Sequence, residues 1–97
     1  MTNRLYVGNL ASHAESELRP QAAAIGESWV AELVHSLRSD DRDIVGEWPG
    51  TLGEARMRIR VAFRRHIDAR LLDELARVAN LAARRAWQQV CEPDVEL

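Results

Sequence analysis

Lysine is absent: all 13 basic side chains of this 97-residue chain are arginine. Arginine and lysine serve equally well on most solvated surfaces, so total exclusion of one fits the coding habits of a GC-rich, bacterial genome, which the many alanines also suit. Cysteine occurs once, as Cys91. This excludes an internal disulfide and a cysteine-built metal cluster, and leaves a small apolar group with no base near it in sequence to make a reactive thiol. The three histidines, His13, His35 and His66, include no pair at the spacing that brings two imidazoles to one metal, so no metal or other cofactor is expected. No apolar run approaches the roughly 20 residues needed to span a bilayer, and no basic-then-apolar leader opens the chain, so a cytoplasmic protein without membrane contact is expected. Aromatic residues are sparse at 5%. No nucleophile motif, phosphate loop or paired-carboxylate arrangement stands out, since "GTLGEAR" lacks the lysine of a phosphate loop; the chain is not expected to be an enzyme.

What is present is a foldable composition, 46% apolar and 29% charged, with enough length for one modest core. The chain is expected to be a single small helical domain, with residues 1–12 as an extended arm and 93–97 as a loose tail. The formal net charge of −2 hides an uneven layout. Residues 1–50 carry four arginines against eight acids, residues 51–70 six arginines against two. Such a dipole fits complementarity between elements, or an acidic partner or phosphate meeting the basic stretch.

Periodicity supplies the elements. Ala22, Ile25, Gly26, Trp29, Val30, Leu33, Val34 and Leu37 recur at three- and four-residue steps, predicting a helix over 18–39 with Pro20 near its start. Residues 40–50 hold turn formers around an apolar centre and read as an ordered connection that folds Ile44 and Trp48 back onto the core. Thr51 and Glu54 have the spacing of a capping box, and a second helix is predicted over 52–66, with Leu52, Ala55, Ile59, Ala62, Phe63 and Ile67 as its stripe. The alternation in Arg56-Met57-Arg58-Ile59-Arg60-Val61 also fits a half-buried strand, but a helix following a cap signal is preferred. A third helix is predicted over 69–91, capped by Asp68 and stopped by Pro93, burying Leu71, Leu75, Val78, Ala79, Ala82, Ala86 and Val90. The fold expected is all-α, a three-helix bundle with an N-terminal extended arm.

Leu5-Tyr6-Val7-Gly8-Asn9-Leu10 resembles the hexapeptide on the first strand of the RNA-recognition motif. Glu15-Ser16-Glu17-Leu18-Arg19 resembles the start of that family's first helix, and Asp94-Val95-Glu96-Leu97 its last strand. The resemblance covers about 20 residues at the two ends of the chain. It implies an alternative ferredoxin-like βαββαβ fold, with Tyr6 stacking on a base and 56–63 in the middle hairpin. The family's glycine- and aromatic-rich octapeptide has no counterpart, the nearest segment being "RMRIRVAF".

The second helix carries the leading candidate site. Arg56, Arg60 and Arg64 stand at four-residue steps, and Met57 and Val61 lie one turn apart between arginine rows, where a purely solvated face needs no large apolar residue. Trp87 falls away from the centre of the third helix's predicted stripe and is read as a further partner anchor. The function expected is a non-catalytic module, regulatory, adaptor or assembly subunit. It would bind a protein partner, possibly acidic, or itself as a homodimer, with Met57, Val61 and Trp87 as apolar anchors and Arg56, Arg60 and Arg64 setting orientation. The alternative is nucleic-acid binding, RNA-recognition-like or helix-turn-helix, through Tyr6, Arg58 and Arg65.

Overall fold

A computed structural model describes residues 3–64 and 67–92, with side chains from Ser16 onward. The described residues form three α-helices, α1 (Asn3–Ser39), α2 (Leu52–Phe63) and α3 (Ala69–Cys91), and include no strand. The all-α three-helix bundle is therefore the fold, and the ferredoxin-like alternative is not. One expectation is overturned along with it: residues 3–12 are the first turns of α1 rather than an extended arm. The physical reason is local. An extended segment needs a partner strand and has none here. The stretch before Pro20 contains one glycine and no proline, so leucine, alanine and glutamate propagate the helix without interruption. Pro20 consequently lies inside α1. Its missing N–H leaves the Ser16 carbonyl without a helical donor, and both residues are exposed, so water can take that place.

The helix ends follow sequence chemistry closely. Thr51 caps α2 through the full box: its hydroxyl accepts from the Glu54 N–H, and the Glu54 carboxylate accepts from the Thr51 N–H at 2.9 Å. Asp68 caps α3 by accepting from the Leu71 N–H at 2.9 Å. At the end of α1, Asp41 is left-handed (φ 56), and the Arg42 and Asp41 N–H groups reach back to the Leu37 and Arg38 carbonyls, the hydrogen-bond pattern of a Schellman stop. α2 ends three residues earlier than its periodicity predicts because Arg64 turns left-handed (φ 52) and donates back to the Arg60 carbonyl.

α1 and α3 run side by side in the same direction, and α2 returns antiparallel to both. Arg19 meets Glu74 near the lower end, and Gly26 meets Ala79 and Ala83 higher up. α2 runs back down with Arg56 on Asp73 and Arg58 on Glu32. The core has two layers. Leu18, Ala22, Ile59, Leu72, Leu75 and Ala79 form the lower one, where all three helices meet. In the upper one Ala55 from the start of α2 joins Trp29, Val30, Val34, Ala76, Ala83 and Trp87, and Ile44 and Trp48 pack against them from the connection 40–51. That connection is a strap standing in for the turns α2 lacks.

The strap is fastened by tryptophans. Trp48 meets Trp29 edge to face at 4.8 Å between ring centroids and Trp87 at 5.6 Å. Its indole N–H donates to the Asn80 Oδ1 at 2.9 Å, and the Trp87 N–H donates to the Gly46 carbonyl at 2.8 Å. Both indole donors are thus satisfied, on the half-buried Trp48 and the buried Trp87.

Trp87 is 3% exposed, which corrects its assignment as a partner anchor. The buried face of α3 comprises Leu72, Leu75, Ala76, Ala79, Ala83 and Trp87. It is rotated by roughly 67° from the stripe expected, because α3 contacts two neighbours and the strap rather than one helix.

A candidate partner-binding furrow between the first and second helices

The site begins with the phase of α2. Ala55 and Ile59 are fully buried against the core, and at 100° per residue this sends Met57 and Val61 to the opposite side. Neither α1 nor the strap covers them: Met57 is 66% exposed and Val61 64%. α2 leans chiefly on α3, so the seam between α1 and α2 stays open. A groove of about 520 Å³ results, lined by Ile25, Ser28 and Glu32 of α1 and by Glu54, Met57, Arg58, Val61 and Ala62 of α2. It joins a second hollow of about 420 Å³, shared through Glu32, Glu54 and Arg58, whose walls are Trp29, Leu33, Trp48, Pro49 and Gly50. Together they make one furrow along the seam.

Arg58 ties the furrow across its width. Its guanidinium donates to Glu32 at 3.3 Å and lies over the Trp29 ring at 4.8 Å from the centroid, so its charge and its flat face are both engaged. Such an ion pair contributes under about 1 kcal/mol where it is exposed. Its clearer role is geometric, in holding a cation over the indole and bridging the trough at its mid-point.

The expected site residues therefore separate. Met57 and Val61 lie together on the furrow's outer lip, with Ile25 facing them from α1. Arg56 lies on the other side of α2, bonded to Asp73 at 2.7 Å, and is not available to an incoming acid as a free cation. Arg60 and Arg64 are exposed and have no ion pair among the described residues. Arg58 is occupied by Glu32 and Trp29. The side chain of Tyr6, and Arg65 altogether, lie outside the described residues; the backbone at Tyr6 is helical, not the strand that the RNA-recognition resemblance implies. Sequence reasoning missed Ile25, Ser28 and Glu32 as furrow residues. Ile25 shares the helical phase of the core stripe, and only the splay of α2 leaves it partly exposed.

Among the described residues no group of three or more His, Cys, Asp or Glu could hold a metal ion. None of their helices is long and apolar enough to cross a membrane. The chain matches no protein-family model, no curated protein and no solved structure.

Proposed function

We propose that the chain is a non-catalytic, cytoplasmic interaction module, a regulatory, adaptor or assembly subunit that receives a protein partner or a second copy of itself in the furrow between α1 and α2. The observation that carries this reading is the pair Met57 and Val61, two large apolar side chains one turn apart and each about two-thirds exposed, on a helix whose other face is fully buried. An apolar pair on the lip of an open trough is what the i and i+4 anchors of a docked helix would cover. Arg60 and Arg64 border the pair on the side away from α1 and would orient an acidic flank of the partner, acting on encounter rate and register more than on affinity. The free thiol of Cys91 suits a reducing compartment.

A photoreactive side chain at position 57, compared with one at the exposed His35 outside the furrow, tests the reading in living cells. A discrete adduct from position 57 alone, homotypic or heterotypic, that disappears when Val61 is changed to Asp is the expected result. Val61 is exposed, so V61D should leave the helical circular dichroism unchanged. Equal labelling from both positions, or an adduct indifferent to V61D, would remove the furrow as the binding surface.

A further inference from the structure

Arg70, Arg77 and Arg84 recur every seventh residue of α3. Seven residues are close to two turns, so the three stand in one row about 10 Å apart, spanning roughly 21 Å on the face turned away from Leu75 and Ala79. All three are exposed, as is the adjoining Arg85. None has an ion pair among the described residues. The acids that could quench the row from within α3 are engaged elsewhere: Asp73 pairs with Arg56 at 2.7 Å and Glu74 with Arg19 at 3.8 Å. The neighbouring α2 adds Arg60 and Arg64, also exposed and unpaired. Acids without an ion pair among the described residues include Asp40, Asp41 and Asp43 of the strap, Glu27 on α1 and Asp68 at the row's lower end, while Glu47 and Glu92 line the hollow that Arg84 borders at its upper end. The folded molecule thus concentrates positive charge on one outer face despite its net charge of −2.

We propose that this arginine row binds the phosphate backbone of a nucleic acid, on an outer face of α3 that adjoins the α1–α2 furrow through Arg60 and Arg64 of α2. An acidic protein is the weaker fit. Protein interfaces need a desolvated apolar centre, and the row offers only Leu81, 47% exposed, among its charges. A phosphate backbone needs no such centre: guanidinium groups meet its oxygens with charge-assisted, often bidentate, hydrogen bonds, and released counterions supply the driving force. A rigid helix holds the row straight, which suits a regularly spaced polyanion.

Fluorescence anisotropy of a labelled DNA duplex of about 25 base pairs, and of one of its single strands, would test this at about 50 and 200 mM salt. Three backbone contacts predict about a 40-fold loss of affinity over that range. The double variant R70Q/R77Q should bind more weakly at the lower salt and lose only about 3- to 4-fold. The control R38Q/R42Q removes two arginines next to the strap acids and should retain the parent's salt dependence. The substituted arginines are all exposed, and circular dichroism would verify the fold. No binding of either nucleic acid at the lower salt would overturn the proposal. So would a salt dependence unchanged in R70Q/R77Q, an equal effect of R38Q/R42Q, or equally effective binding of polyglutamate.

Discussion

At the scale of single residues, the closest approach in the bundle is at Gly26. A Cβ built there would lie 2.1 Å from the Ala79 carbonyl oxygen and 2.9 Å from its carbon, with the Ala83 N–H group also in the way at 3.1 Å. Helix propensity alone would make Gly26→Ala stabilising by about 1 kcal/mol. The obstacle is backbone, which cannot turn aside as a side-chain tip can, so α1 and α3 must separate and both core layers loosen. The overpacking term of about 1–3 kcal/mol should therefore win, and G26A should be destabilised in urea unfolding followed by tryptophan fluorescence. Gly53 is the natural contrast, because nothing lies nearer to its Cβ position than the Thr51 hydroxyl at 3.8 Å. There the propensity gain is unopposed, and G53A should raise stability by up to about 1 kcal/mol. A stabilised G26A would mean that the two helices do not pack at this distance. The sequence places Gly26 within an apolar stripe, but which glycine touches a backbone depends on the crossing point of two helices distant in the chain.

At the scale of elements, caps and connections were the most legible features. The Thr51–Glu54 box, the Asp68 cap and the inward turn of Ile44 and Trp48 follow from residues within a few positions of one another, where chemistry is local. The start of α1 was not legible, because Pro20 and the short "LYV" run mimic a helix start and a strand, and neither signal outweighs a long, favourable helical stretch. The buried face of α3 was misjudged for a different reason. Most of its alanines and leucines cover nearly half of the helix's circumference, wider than one contact face, and its neighbours select the part that becomes core. Trp87 then belongs inside because the strap supplies a carbonyl for its N–H. This gives the strap a measurable energetic role. Trp48→Phe keeps a ring in place but removes the N–H, leaving the partly buried Asn80 Oδ1 without its donor. A loss of about 1–3 kcal/mol is expected, with weakened near-ultraviolet circular dichroism from the tryptophan cluster and unchanged helix content. Unaltered stability would show that the strap lies on the bundle without holding it.

At the scale of the whole molecule, the chain measures 60 × 32 × 17 Å, and its charges are sorted over that extent rather than mixed. The exposed or half-exposed ion pairs Arg19–Glu74, Arg56–Asp73 and Arg58–Glu32 link helices, each worth under about 1 kcal/mol in such surroundings. Against them stands repulsion inside the arginine row. Two unit charges about 10 Å apart in water repel by about 0.4 kcal/mol before screening, and the row with Arg60 contains several such neighbours. The like-charge term, about 1 kcal/mol in sum, acts against folding. Neutralising Arg70 and Arg77 with glutamine leaves the helix propensity of α3 nearly unchanged and relieves most of that repulsion. The double variant should melt about 2–5 °C above the parent in dilute buffer, since about 1 kcal/mol shifts a domain of this size by several degrees. In about 0.5 M salt, where the screening length falls to a few ångströms, the difference should vanish. A variant that melts lower than the parent in dilute buffer would mean that the arginines already have partners. The expected rise, coupled with weaker nucleic-acid binding, would mean that the row is kept at the expense of stability, as surfaces shaped for a ligand often are.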